Sequence, residues 1–135
     1  MDDTVKQALI IDFTTECFRN SADRDYVSAR LCHRYGLDAQ FYWAALQTIE
    51  KLLKAILLYN GKSAKKLGHN LTTAYSRVLG INDINFNFPK DIDKYLKHIE
   101  EQGKNRYFEY PRNIHGRECF IWIKQFGISD NIAFI

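Results

Sequence analysis

The feature that most constrains this chain is a long apolar segment from Asp38 to Asn60 that contains neither proline nor glycine. Its apolar and small residues recur at alternating spacings of four and three. They form two adjacent stripes: Phe41, Ala45, Thr48, Leu52, Ala55 and Tyr59 in one, and Tyr42, Leu46, Ile49, Leu53 and Ile56 in the other. Two stripes make a sector wider than a surface helix requires. The segment is therefore predicted to be a central helix, packed on more than one side, that ends at Gly61.

Shorter segments before and after this helix also show helical spacing: Thr4–Phe18, Ala22–Tyr35, Asn70–Leu79, Asp91–Gly103 and a weaker one at Glu118–Phe126. The first is also acceptable as a short strand around Leu9-Ile10-Ile11. Ser21 is expected to cap the second, and glycines are expected to end most of the others. The prediction is an all-α antiparallel bundle of about five helices, forming a single domain over residues 1–135.

Composition narrows the class of protein. With 135 residues the chain has the length of one domain, and its formal charge of +3 is too small for a polybasic nucleic-acid binder. No apolar run approaches the roughly 18 residues that a membrane span needs. Cys17, Cys32 and Cys119 are isolated and odd in number, which favours buried thiols in a reducing cytoplasm. No spacing of ligands indicates a metal, and no cofactor motif is present.

A set of short motifs begins within the central helix and continues beyond it in a fixed order. They are Ile49-Glu50-Lys51, Leu53-Lys54-Ala55, Gly61, Lys65-Lys66, His69-Asn70-Leu71 and the later Asn105-Arg106-Tyr107. In this order and spacing, residues 23 to 108 resemble the HEPN domain family. The resemblance implies an antiparallel helical bundle that commonly pairs into homodimers, and it suggests nucleotides, RNA or an associated nucleotidyltransferase as partners.

Many HEPN proteins are metal-independent ribonucleases in which an Arg precedes a His by four to six residues. That spacing is absent: Arg112 precedes His115 by two intervening residues and Arg106 precedes it by eight. We therefore expect a binding or partner module without ribonuclease activity. Two alternatives stay open, an atypical toxin-like ribonuclease that uses Arg106, Arg112 and His115, and a purely structural dimerisation module.

The start of the helix at Asn70 is the predicted ligand site, because a helix N-terminus and nearby cations both favour anions. The phosphate or nucleotide-binding residues predicted there are Lys62, Lys65, Lys66, His69, Asn70 and Arg106. A solvated basic loop is the simpler interpretation. Near Arg106, the side chains of Tyr107, Phe108 and Tyr110 are suited either to stack on bases or to pack in the core.

A dimer face is predicted on the polar arc of the central helix, formed by Trp43, Gln47, Glu50 and Lys54. A large aromatic side chain on that arc would be exposed to solvent in a monomer, and a two-fold interface would bury it. Glu50 and Lys54 are spaced to pair along the helix, and a dimer would allow them to pair between chains. The alternative is that Trp43 lies under the N-terminal helix of its own chain.

Overall fold

The computed structural model of the protein describes residues 2–82 and 85–104. Every regular element in these ranges is helical. The elements are α1 (Asp3–Thr14), a π-helical turn (Thr15–Arg19), α2 (Asn20–Arg34), α3 (Asp38–Tyr59), α4 (Leu71–Leu79) and α5 (Ile92–Lys104). The prediction of an all-α bundle of about five helices is confirmed for this part of the chain. The predicted helix at Glu118–Phe126 lies outside the described residues.

Helix α3 is the centre of the bundle. Its two apolar stripes are buried except at their C-terminal ends, Ile56 and Tyr59, and Tyr42, Leu46, Ile49 and Leu53 are almost inaccessible to solvent. Helices α2, α4 and α5 pack around it. The helix ends at Tyr59, and Gly61 follows with a φ of +69°, in the left-handed region that favours glycine. The interpretation of this segment as a helix packed on several sides is therefore correct.

The N-terminal quarter of the chain forms one continuous rod. The backbone stays helical from α1 through the π turn into α2, since Thr14, Arg19 and Asn20 all have α-helical φ and ψ angles. The predicted break at Ser21 is therefore wrong. Instead of capping a helix, the Ser21 hydroxyl accepts a hydrogen bond from Lys51 Nζ at 2.8 Å.

The rod runs antiparallel to α3. Asp25 forms an ion pair with Lys51 at 2.5 Å, and the hydroxyls of Thr15 and Tyr59 share a hydrogen bond of 2.7 Å further along. Tyr59 is the last residue of α3. The 12 residues of α1 therefore extend about 18 Å beyond the level of that tyrosine. Thr14 is the one buried residue of α1.

Gly103 does not end α5 as predicted but lies within it, one residue before Lys104. A Cβ atom at this position would lie 2.8 Å from Leu46 Cδ2 and 3.0 Å from the carbonyl oxygen of Tyr42. Glycine is needed here because α5 approaches α3 too closely for any side chain. None of the helices in the described ranges is long and apolar enough to cross a membrane.

Candidate functional site

The side chain of Glu50 is a buried carboxylate that contacts the side chains of Lys54 and His69. It is 7% exposed on α3. Lys54 Nζ donates to Oε1 at 2.7 Å, and His69 Nδ1 lies 2.6 Å from Oε2. Lys54 also donates to the carbonyl oxygen of Gly68 at 3.1 Å. These contacts compensate the desolvation of Glu50 and attach the chain around residue 69 to α3.

Trp43 completes this cluster. Its ring lies edge-on to the imidazole of His69, with the ring centroids 5.6 Å apart, and it packs partly buried against the core. Trp43 was predicted to be exposed to solvent in a monomer. Instead, its own chain covers most of the side chain, and part of that cover is His69. Glu50 and Lys54 confirm the predicted pairing along the helix. The dimer face itself stays a prediction.

A basic loop connects α3 to α4. Lys62, Lys65 and Lys66 are exposed there, and among the described residues none of the three forms an ion pair. The loop backbone is nevertheless fixed. Arg77 Nη1 donates to the carbonyl oxygen of Lys65 at 2.9 Å. Lys66 has a φ of +62°, an uncommon conformation for a residue with a side chain, and the next residue, Leu67, is buried as an anchor.

The N-terminus of α4 is already occupied by groups of the same chain. The N–H of Leu71 donates to Glu100 Oε1 at 2.6 Å, and the N–H of Thr73 donates to Asn70 Oδ1 at 3.0 Å. A carboxylate therefore lies where the sequence analysis placed a ligand anion. The expectation that this helix start presents unpaired N–H groups to a phosphate is corrected accordingly.

The residues predicted to bind phosphate thus separate into distinct groups. His69 joins the Glu50 cluster and Asn70 caps α4, whereas Lys62, Lys65 and Lys66 form the exposed basic surface. Arg106 and the residues of the ribonuclease alternative, Arg112 and His115, lie outside the described residues. The part played by Glu100 was missed, because 29 residues separate it from its partner Leu71 and no local spacing signals the contact.

A groove between α2 and α3 was also missed by sequence analysis. It has a volume of about 540 Å³, and its lining includes Asp25, Ser28, Cys32, Gln40, Trp43 and Gln47. Cys32 is half-buried there, whereas Cys17 is exposed on the rod, so the expectation of a buried thiol fails at Cys17. No group of three or more metal-ligating side chains converges in the part of the chain that the structure covers.

Comparison of this chain with protein-family models, curated proteins and solved structures finds no match.

Proposed function

We propose that this protein is a HEPN-like module that binds the phosphate groups of a nucleotide or an RNA through Lys62, Lys65 and Lys66. One observation carries the proposal: three exposed lysines share a loop whose backbone is fixed, and none is neutralised by a carboxylate among the described residues. Cations already held near one another lose less conformational freedom when they bind an anion. The homodimer and nucleotidyltransferase partner implied by the resemblance belong to the same proposal.

The proposed module binds without cleaving RNA. The Arg and His spacing of the ribonucleases is absent from the sequence. One structural observation nevertheless favours an atypical ribonuclease as a second candidate. The Glu50 carboxylate contacts His69 Nδ1, and His69 stays half exposed. In the neutral imidazole, a proton held on Nδ1 leaves Nε2 as an acceptor, which is the arrangement of a general base.

The binding test uses a fluorescein-labelled single-stranded RNA of mixed sequence and measures anisotropy over a range of salt concentrations. We expect Lys65→Ala with Lys66→Ala to weaken binding about tenfold and to reduce the slope of the salt dependence by roughly two phosphate contacts, one for each lysine removed. The matched control is Lys6→Ala with Lys97→Ala, which removes the same charge from exposed positions on α1 and α5. Equal losses in the two double variants would show that net charge alone binds RNA and would overturn the site.

The catalytic alternative is tested by incubating structured and unstructured RNA with the protein in a chelator. We expect both RNAs to stay intact. Cleavage that is lost in His69→Ala would replace the binding proposal with the enzyme suggested by the Glu50 contact. Cleavage that is lost in His115→Ala would instead support the alternative based on Arg106, Arg112 and His115.

A further inference from the structure

The outer face of the N-terminal rod carries large apolar side chains that the bundle leaves in solvent. Their exposed fractions run from 49% for Val5 to 70% for Tyr35. We call this set the outer stripe, and it consists of Val5, Leu9 and Phe13 on α1, Val27 and Leu31 on α2, and Tyr35 directly after the end of α2. Each helix contributes residues spaced by four, which lie on one side of a helix.

The two halves of the outer stripe face the same side of the rod. Counted at 100° per residue from Leu9 to Leu31, the middle residues of the two halves, their mean directions differ by about 40°. The buried residues of the rod lie on the opposite side: Thr14 on α1, and Ala22 and Ala29 on α2. On α2 the outer stripe therefore points away from α3, and on α1 it continues along the same side of the rod.

The outer stripe is complementary to itself in the antiparallel direction. A two-fold axis at Asn20 brings each position of one rod opposite the position equally far from Asn20 on the other. The facing pairs are then Val5 with Tyr35, Leu9 with Leu31, and Phe13 with Val27. Every large apolar residue of the stripe meets another apolar residue, as an isologous interface requires.

Charge fixes the same register. The axis at Asn20 also places Glu16 of one copy opposite Arg24 of the other, twice per pair of rods. Both side chains are exposed, and Arg24 forms no ion pair within the described ranges. Sliding one rod by four residues would instead place Asn20 or Ser28 opposite Glu16. The apolar and ionic contacts therefore select one register together.

The area of the outer stripe is appropriate for a stable interface. Its exposed fractions correspond to about 600 Å² of surface per chain, compared with the roughly 800 Å² that each partner buries in a standard interface. Flanking charged residues such as Glu16 and Arg24 supply the remainder. We propose that two copies of this protein pair antiparallel through their outer stripes, with the two-fold axis at Asn20. This interface is separate from the Trp43 face and from the basic loop.

The test measures mass by light scattering at micromolar protein concentration, with full-length protein. We expect a dimer that dissociates about tenfold more readily in Glu16→Lys and in Arg24→Glu, because each change sets like charges opposite one another. The double variant Glu16→Lys with Arg24→Glu restores the pairing with its signs reversed, and we expect the wild-type affinity to return. Circular dichroism confirms that each variant keeps its helical content.

A monomeric wild type would overturn the proposal and would mean that the outer stripe is covered by another part of the same chain or by a different partner. A dimer that tolerates both single charge changes but dissociates in Trp43→Glu would also overturn it, since the copies would then pair through the opposite side of the bundle. A dimer that dissociates in Leu9→Glu and in Leu31→Glu, and not in Trp43→Glu, supports the outer stripe.

Discussion

His69 Nδ1 lies 2.6 Å from Glu50 Oε2, although 19 residues separate the two in the sequence. The contact joins the central helix to the loop that carries the exposed lysines. Lys54 strengthens it, because it binds both Glu50 and the carbonyl oxygen of Gly68. The basic surface is thus attached to the rigid centre of the bundle at one end, and by Arg77 at the other. The cluster of Glu50, Lys54 and His69 therefore holds one end of the loop that carries the candidate phosphate site.

Removing the carboxylate should cost considerable stability. In Glu50→Ala, the mostly buried ammonium of Lys54 loses its counter-ion, and breaking such a pair costs about 3 kcal/mol. Urea denaturation followed by circular dichroism measures the loss. The control is Glu101→Ala on the exposed side of α5, which should change the free energy of unfolding by less than about 0.5 kcal/mol. Equal effects of the two substitutions would show that the cluster contributes no specific stability.

Arg77 should control the order of the basic loop without contributing its charge. Arg77→Lys keeps the charge but loses the donor geometry that holds the carbonyl oxygen of Lys65. We expect faster amide hydrogen exchange over residues 62–67 and RNA binding weaker by about 1 kcal/mol, or roughly fivefold. The control is Arg34→Lys, an exposed residue at the end of α2. Unchanged exchange in the loop would contradict the anchoring role of Arg77.

Sequence periodicity predicted the fold well where burial is continuous. The stripes of α3 fixed its bounds, and Asn70 and Gly80 marked the ends of α4. The prediction failed at Ser21 and Gly103, because local capping rules compete there with tertiary contacts. Ser21 is turned to Lys51, and Gly103 makes room for α3. Propensity is a weak signal when packing can override it.

The candidate site was only partly predictable for a related reason. The ion pair of Glu50 and Lys54 follows from their spacing of four residues on one helix. The contacts of His69 with Glu50 and of Glu100 with Leu71 join residues on different elements. Such contacts depend on how the helices pack, which periodicity does not specify. The lysines were identified correctly as a cluster, but the anion expected at the start of α4 is a carboxylate of the chain itself.

Because α5 lies so close to α3 at Gly103, adding a single methyl group at this position should destabilise the folded protein. Gly103→Ala places a Cβ 2.9 Å from Leu46 Cβ and 3.0 Å from a backbone oxygen, neither of which can move without shifting α3. We expect a loss of about 2 kcal/mol in the free energy of unfolding despite the higher helix propensity of alanine. Thermal and urea denaturation measure it, with Lys97→Ala on the exposed side of α5 as the control. A stabilised Gly103→Ala protein would contradict the close packing.

His98 should make the stability of the bundle depend on pH. It is half-buried on α5, with its ring edge-on to that of Tyr42. Burial lowers the pKa of its imidazole below the ordinary value of 6.5, and the nearby charge of Glu101 has a smaller effect in the opposite direction. Because the folded protein then binds the proton less readily than the unfolded chain, stability is lost as the pH falls below about 6.5, until the folded pKa is passed.

Urea denaturation at several values between about pH 7 and pH 5 measures the loss. His98→Gln removes this titration, so the difference in unfolding free energy between wild type and variant isolates it from the other ionisable groups. We expect that difference to move against the wild type on acidification, and a difference independent of pH would show that folding does not perturb His98.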